Sequence, residues 1–196
     1  MKALMSHEPG SPETLQITEL ESPVPEQGEV RIKVAACGIN YPDALIIEDK
    51  YQFRPQRPFA PGGEVVGEID ALGEDTKGFK VGDRVIGMIG WGGMAEQVTT
   101  AAQKCTPVPA DMPDEQAAAF VFTYGTSYHA LKQRAELQKD QTVLILGAAG
   151  GVGLAAVEIA KAMGARVIAA ASSEKKVSLA KEHGADDGIE LSLIHI

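Results

Sequence analysis

In the first half of the chain, several short segments alternate apolar and polar residues, as strands with one face in water do. Alternation occurs at 15–17 and 30–34, and apolar strand-like segments follow at 64–72, 81–87 and 95–99. Pro and Gly separate these segments at the spacing expected of a small barrel. Residues 1 to about 108 are therefore predicted to be β-rich, interrupted by a short helix-like apolar cluster at 44–47 and a proline-punctuated loop from Tyr51 to Pro61.

The second half of the chain changes to helical periodicity and then to a strand-helix-strand pattern. Asp111-Met-Pro113 has the residues of a helix start, and helical stretches are predicted at 114–121 and 126–137. A continuous apolar run at 143–146 predicts a strand buried on both faces. A helix beginning near Gly151 and ending at Gly164 follows, and then a second strand at 166–170. We predict two domains, 1–110 and 111–196.

The turn after the first predicted parallel strand is rich in glycine and reads GAAGGVG from Gly147 to Gly153. Against the fingerprint G-x-G-x-x-G the match is Ala148-x-Gly150-x-x-Gly153, so the first glycine is replaced. Glycines here let the backbone approach a pyrophosphate, and the open helix N-terminus offers amides and the positive end of its dipole. The predicted dinucleotide-binding residues are Ala148, Gly150, Gly151, Val152 and Gly153. The alternative is a glycine-rich turn without a ligand.

The end of the second strand bears on the choice of cofactor. NAD enzymes place an acidic residue there for the ribose 2′-hydroxyl, whereas NADP enzymes offer donors to the 2′-phosphate. Ser172 and Ser173 lie at this tip and Lys176 follows, which favours NADPH. In the alternative interpretation Ser173 is an N-cap and the lysines are a solvated face. Glu174 is the residue that argues for NADH.

The composition is that of an ordinary globular protein with few cysteines. The 196 residues are 44% hydrophobic and 23% charged, and the net charge of −9 argues against nucleic acid or an anionic membrane as the main partner. Cys37 and Cys105 cannot form a disulfide framework, and neither lies in a C-x-x-C pair. The N-terminus has no signal-peptide core and no apolar run has membrane-spanning length. We therefore expect a protein of a reducing compartment, the cytoplasm or alternatively an organelle lumen, that binds a small-molecule substrate.

Five motifs occur in order along the chain: GEVRIKVAACGINYPD, PGGEVVG, VGDRVIG, TYGTSYHAL and LILGAAGGVG. With them the chain resembles the zinc-independent quinone oxidoreductases of the medium-chain dehydrogenase/reductase superfamily, the group that includes zeta-crystallin, from residue 1 to about 189. The resemblance implies an α/β protein with an N-terminal GroES-like β barrel and a Rossmann domain. It also implies hydride transfer from NADPH to a quinone, and a homodimer in the full-length form.

The resemblance also addresses zinc. Zinc-dependent relatives place a Cys and a His as metal ligands where this chain has Asn40 and Gly63, so no catalytic zinc is expected. Glu64 remains, but one carboxylate is not a metal site. Cys37 lies three residues before the ligand position and is predicted to be a small buried hydrophobe.

By resemblance, Asn40, Asp43 and Tyr51 line the substrate side and Thr126 lies beside the nicotinamide. Each has a structural alternative: a turn residue, a helix-start acid, a packed ring and a helix cap, respectively. Tyr124 and Tyr128 carry phenolic protons, but the sequence identifies no committed proton donor.

The resemblance covers the barrel and about half of a Rossmann domain, and 191–196 departs from the family pattern, so we expect an N-terminal fragment that does not catalyse hydride transfer. An alternative activity is reduction of the double bond of enones, alkenals or acryloyl thioesters. An alternative of another class is a non-catalytic nucleotide-binding or structural protein.

Overall fold

The protein is described by a computed structural model over residues 1–191, and the chain divides into two compact units. We call Met1–Val121 unit 1 and the chain from Phe122 onward unit 2. By this division the predicted boundary at residue 110 falls inside unit 1. Apart from Leu191, the ending that departs from the family pattern lies outside the described residues. None of the helices over 1–191 combines the length and apolar character that a transmembrane span needs.

Unit 1 is built on antiparallel strands. These are β1 Lys2–Met5, β2 Gln16–Glu19, β3 Glu29–Gly38, β4 Glu64–Leu72, β5 Arg84–Met88, β6 Gln97–Ala101 and β7 Cys105–Pro107. Five of them form one sheet in the order β6-β3-β4-β5-β7, while β1 and β2 pair with each other. Isolated bridges join Ala3 to Ala95 and Ser6 to Phe59. The predicted β-rich N-terminal part is confirmed.

The centre of this sheet follows from the alternation in the sequence. The inward residues of β3, β4 and β5 form a fully buried cluster that includes Val30, Ile32, Val65, Ile69 and Val85. A shift of register in β3 between Val34 and Ala36 bends the strand where it approaches the helix that follows. Burial of this inner face is the main stabilisation of unit 1.

Two short α-helices belong to the described unit 1, α1 Tyr41–Ile47, at the predicted apolar cluster, and α2 Asp114–Ala117, together with 3-10 turns at Pro12–Thr14 and Ala102–Lys104. The helix predicted over 114–121 is shorter than expected. From Ala119 onward the amides bond three residues back, to Gln116 and then, from Phe120, to Ala117, so the α-helical ladder ends in tight turns.

The chain then forms a helix with wide, π-type turns at Val121–Gly125 and His129–Arg134, on either side of α3 Thr126–Tyr128. The helical stretch predicted over 126–137 is thus helical to Arg134, and α-helical only at Thr126–Tyr128. The Ala135 amide bonds to Ala130, five residues back, as expected for a π-type turn.

Unit 2 is a β-α-β-α-β arrangement. Its elements are β8 Thr142–Leu146, α4 Gly151–Ala162, β9 Arg166–Ala171, α5 Glu174–Glu182 and β10 Asp187–Glu190. The strands are parallel and ordered β10-β9-β8, and α4 packs on them through small apolar residues such as Ala160 and Val157. The predicted first half of a Rossmann domain is confirmed.

Within the described chain, β8 is an edge strand of this sheet. Ile145 is buried beneath α4, whereas Leu144 and Leu146 on the other face are 53% and 68% exposed. A strand that is apolar on both faces, as the sequence predicts, is thus covered on only one.

Candidate functional site

The glycine turn after β8 depends on close backbone packing. Gly147 has φ +65°, and the Gly150 amide donates to its carbonyl over 3.0 Å. A Cβ at Gly153 would lie 2.3 Å from the same carbonyl oxygen, so only glycine lets α4 approach the turn this closely. The predicted fingerprint position Ala148 is fully buried, and its amide donates to the carbonyl of Ala170 in β9. Ala148 therefore supports the turn from beneath.

The first turn of α4 supplies the amides of the site. Gly150 is the N-cap and has no side chain to cap the helix. The amides of Gly151, Val152 and Gly153 belong to the first turn, where an α-helix has no internal acceptors. Gly150, Gly151 and Val152 are exposed. The helix N-terminus therefore presents donors and positive dipole to an anion.

A cleft of about 400 Å³ lies over this turn and extends to the tip of β9. It is lined by Gly147, Ala149, Gly150, Ala171, Ser172, Lys176 and Leu191. The Lys176 ammonium donates to the Ser172 hydroxyl oxygen over 2.9 Å, and both residues are exposed. The structure thus brings two of the three predicted phosphate-binding residues into the same cleft as the glycine turn.

Ser173 has the structural role that the alternative interpretation gave it. It is the N-cap of α5, and its hydroxyl oxygen accepts from the Lys176 amide over 3.4 Å. Since the oxygen is the acceptor here, this bond leaves the hydroxyl hydrogen available as a donor. Glu174 lies in the first turn of α5, where its charge favours the helix dipole.

These features fit an NADP-type dinucleotide. Gly150 and Gly151 at the start of α4 have no Cβ to obstruct an anion, and the Ser172–Lys176 pair offers a hydroxyl and a cation. No carboxylate lines the described part of this cleft, as a ribose-binding acid would.

In unit 1, the predicted residues Asn40 and Asp43 are hydrogen-bonded to each other at the start of α1. The Asp43 carboxylate is buried. One of its oxygens accepts from the backbone amide of Asn40 over 2.7 Å, and the other accepts from the backbone amide of Gly62 over 3.0 Å. Burial raises the pKa of this carboxyl, and the two amide donors oppose the shift. Asp43 thus ties α1 to the loop before β4.

The side chain of Asn40 has an unusual environment. Its amide nitrogen is buried and makes no hydrogen bond within residues 1–191. An unsatisfied buried amide costs about 1–3 kcal/mol. An acceptor oxygen that reached it would recover that energy.

The residues around Asn40 and Gly63, the positions at which the resemblance places the zinc ligands of other family members, do not form a metal site. Burial, with smaller contributions from Asp43 and Glu64, raises the pKa of the Cys37 thiol to about 12, which disfavours the thiolate that binds zinc. Cys37 packs against the main cluster of the barrel, as predicted. Glu64 is fully buried and accepts from the Val121 amide over 2.6 Å. Over the described chain, no three His, Cys, Asp or Glu residues converge to hold a metal ion.

Tyr51 lies in the predicted loop after α1. Its half-buried ring packs against the cluster of Ile46, Ile47 and Phe59, and its centroid is 5.9 Å from that of Phe53. The sequence did not single out Arg57, which holds the loop: its guanidinium pairs with Asp49 at 2.7 Å and stacks on Phe59. Its position in the proline-punctuated loop was the only available signal.

Thr126 lies in unit 2, in α3. Its hydroxyl donates to the carbonyl of Phe122 over 2.6 Å, so Thr126 is not the helix cap that the alternative interpretation proposed. The next residue, Ser127, is buried, and its hydroxyl donates to the carbonyl of Val152 in α4 over 2.8 Å. Thr126 is therefore held in a fixed position relative to the glycine turn.

A second connection joins the wide turn before α3 to α4, and the sequence did not predict it. The Tyr124 hydroxyl donates to Glu158 over 2.5 Å, and His183 contacts the other oxygen of Glu158 at 2.6 Å. The hydrogen bond to Glu158 raises the pKa of Tyr124 and is the main reason that the pKa of Glu158 is lowered. Tyr124 is thereby disfavoured as the proton donor that the sequence left open.

Comparison with known proteins gives the family. Residues 26–110 match the alcohol dehydrogenase GroES-like domain and residues 151–192 match the zinc-binding dehydrogenase family. The chain is 42% identical over 178 residues to quinone oxidoreductase-like protein 2 of Bos taurus, covering 90% of this chain and 51% of that protein. It is 36% identical over 189 residues to the quinone oxidoreductase of Homo sapiens, covering 95% and 57%. The chain belongs to the medium-chain dehydrogenase/reductase superfamily.

Solved members of the medium-chain dehydrogenase/reductase superfamily share its fold. The quinone oxidoreductase of Thermus thermophilus, solved alone and in complex with NADPH, is 37% identical, with a TM-score of 0.84 over 96% of this chain and 59% of that one. The chain spans about half the length of the curated relatives it matches. The resemblance found in the sequence motifs is confirmed at the level of superfamily and fold.

Proposed function

We propose that the protein transfers a hydride from NADPH to a quinone, in its full-length form and without zinc. The observation that carries the proposal is the Ser172–Lys176 pair in the cleft of the glycine turn. The quinone oxidoreductases of Homo sapiens and Thermus thermophilus, the second solved with NADPH, are similar to this chain and support the same activity.

The cofactor would be held by unit 2. The first turn of α4 binds the diphosphate through the Gly151 and Val152 amides, and Gly150 leaves room for it. Lys176 neutralises the 2′-phosphate as a point charge while the Ser172 hydroxyl donates to it. When bound, NADPH supplies the hydride.

Asn40, Asp43 and Tyr51 are proposed to line the substrate side, and Thr126 is proposed to lie beside the nicotinamide. The Asn40 amide nitrogen, which has no partner within residues 1–191, is suited to donate to a carbonyl oxygen of the acceptor and to stabilise the negative charge that develops there. Asp43 fixes the backbone of Asn40. A hydride together with one proton from solvent converts a quinone to a hydroquinone, so the proposal requires no dedicated acid.

Cofactor preference tests the first half of the proposal. In a full-length version of the protein we expect NADPH to bind at least about ten-fold better than NADH, because a charge-assisted contact contributes about 1.5–3 kcal/mol. Lys176→Ala should remove most of this preference. Lys175→Ala, an exposed neighbour outside the cleft, is the matched control and should leave it intact. Equal binding of the two cofactors by the unmodified protein would contradict the proposal.

Turnover with a panel of acceptors tests the second half. Quinones are compared with enones, alkenals and an acryloyl thioester at saturating NADPH, in the presence of a chelator. Reduction of quinones alone supports the proposal, and reduction of the activated alkenes alone would replace it with double-bond reduction. Tight NADPH binding without reduction of any acceptor would favour a non-catalytic protein. A cytoplasmic location is also proposed, on the low cysteine content, and a homodimer is proposed on the resemblance alone.

A further inference from the structure

Five main-chain hydrogen bonds join the loop between β5 and β6 to the loop before β4. We call residues 89–94 the tryptophan loop, since it contains Trp91. Its amides donate from Gly92 to Ala60 (2.7 Å), Gly93 to Gly62 (2.9 Å), Met94 to Pro61 (2.9 Å), Ile89 to Gly63 (2.9 Å) and Gly90 to Gly63 (3.1 Å). Residues 60–63 therefore brace this loop, together with the Leu4 amide, which donates to the Met94 carbonyl over 2.8 Å.

The same residues 60–63 adjoin the proposed substrate side. Gly62 donates its backbone amide to the Asp43 carboxylate over 3.0 Å, and the other oxygen of that carboxylate accepts from the backbone amide of Asn40. A Cβ at Gly62 would lie 2.6 Å from the Cys37 sulfur, and one at Gly93 would lie 3.0 Å from it. Cys37, Gly62 and Gly93 are thus in close contact, so the tryptophan loop is joined through Gly62 to the Asp43 carboxylate, which also accepts from the backbone amide of Asn40.

Within this loop, Trp91 is flanked by two glycines with positive φ, Gly90 at +88° and Gly92 at +104°. Other residues rarely adopt these conformations, so the loop depends on the glycines. Trp91 is 45% exposed. An indole held by a braced loop offers a flat apolar surface at a low entropic cost of ordering, and this is the role of Trp in many binding sites.

We propose that Trp91 stacks on the planar ring of the electron acceptor and so selects for conjugated carbonyl compounds of the quinone type. The inference rests on the proposed function and adds a specificity-determining residue to it. Two observations support it independently: the half-exposed indole on the loop bound to residues 60–63, and the buried Asn40 amide nitrogen without a partner in the described chain. A stacking face and a carbonyl-directed donor together suit a planar ring that carries an oxygen.

Tryptophan fluorescence tests this directly, because Trp91 is the only tryptophan in the 196-residue chain. The chain is titrated with 2,3-dimethyl-1,4-naphthoquinone, whose blocked ring carbons disfavour addition of the cysteine thiols. We expect saturable quenching, corrected for quinone absorbance with free N-acetyltryptophanamide. Quenching that stays linear in quinone concentration would indicate random collisions and would overturn the proposal.

A relocated tryptophan provides the matched control. In the double variant Trp91→Ala and Val81→Trp, the stacking ring is removed and the indole occupies an exposed turn at the opposite end of the β4–β5 hairpin from the Glu64–Met88 pair. Quenching of this variant is expected to remain linear. Saturation with the same midpoint at position 81 would contradict a specific site at Trp91.

Binding of the same quinone, measured by equilibrium dialysis, covers the variants that lack the indole. Trp91→Ala should weaken binding about five-fold, and Trp91→Phe should retain most of it, because an aromatic ring restores stacking. Unchanged binding by a folded Trp91→Ala variant would overturn the proposal. In a full-length version, saturable quenching without quinone turnover would reject the proposed function and keep this inference. Turnover with an unchanged KM in Trp91→Ala would do the reverse.

Discussion

Gly153→Ala tests the close packing of α4 on the glycine turn. The added Cβ would lie 2.3 Å from the Gly147 carbonyl oxygen and 2.8 Å from the Ala148 Cα, both main-chain atoms that no side-chain rotation can move away. Relief requires a shift of α4 by about 1 Å, in a core packed as tightly as a protein interior. Such overpacking costs about 3 kcal/mol, which for a unit of this size lowers the melting temperature by more than about 10 °C.

Gly151→Ala, on the same turn of α4, is the control. Its added Cβ would meet only the Thr123 methyl group, at 3.4 Å, so the change should be neutral or stabilise the helix by up to about 1 kcal/mol. Thermal unfolding, with hydrogen exchange of the β8–α4 peptides, measures both variants within unit 2. If Gly153→Ala melts and exchanges like Gly151→Ala, the close approach of α4 to the turn is not needed and the reasoning is wrong.

Three further predictions concern single hydrogen-bonded residues, and a fourth concerns zinc. Asp43→Asn puts an NH₂ group against one of the two backbone amides, of Asn40 and Gly62, that now donate to the carboxylate. We expect the free energy of unfolding to fall by about 2 kcal/mol, measured by urea denaturation at pH 7. Hydrogen bonds from Lys161 and a backbone amide lower the pKa of Asp186 in the folded state. The stability that Asp186 contributes is therefore present above its unfolded pKa and is lost as the pH falls through its folded pKa. In Asp186→Asn the melting temperature should fall less steeply with decreasing pH in that acidic range. Tyr124→Phe removes the bond to Glu158 and should cost about 1 kcal/mol, and an unchanged melting temperature would count against this connection. Purified protein should hold no stoichiometric zinc by elemental analysis and lose no stability in chelator.

The elements with strong periodicity could be predicted from the sequence alone. The strand over 64–72 has the predicted limits because its apolar run is bounded by glycines, and the β-α-β unit follows from the glycine turn between two apolar runs. The helix after Pro113 was less predictable, since alanine favours a helix without determining whether its turns are α, tight or wide. Only hydrogen-bond geometry reveals that difference.

The contacts of the candidate site could be predicted only in part. Local ones followed from spacing, such as Ser173 capping the helix that contains Lys176. Distant ones did not, because Asp43 and Gly62 are 19 residues apart and meet only when β4 is in register with its neighbours. Trp91 gave no signal in the sequence because a single aromatic residue among glycines is equally typical of an ordinary turn.

The five main-chain hydrogen bonds between residues 60–63 and the tryptophan loop use amides and carbonyls and no side chains. Residue identity can therefore vary at exposed positions such as Trp91 without loss of the scaffold, whereas Gly62 and Gly93 are constrained by the Cys37 sulfur. The main chain therefore holds the tryptophan loop in place, while the side chain at position 91 is the part proposed to contact a substrate. A lineage could change its choice of acceptor through one codon on a fixed frame, and a library randomised at position 91 is the economical starting point for altering specificity in the laboratory.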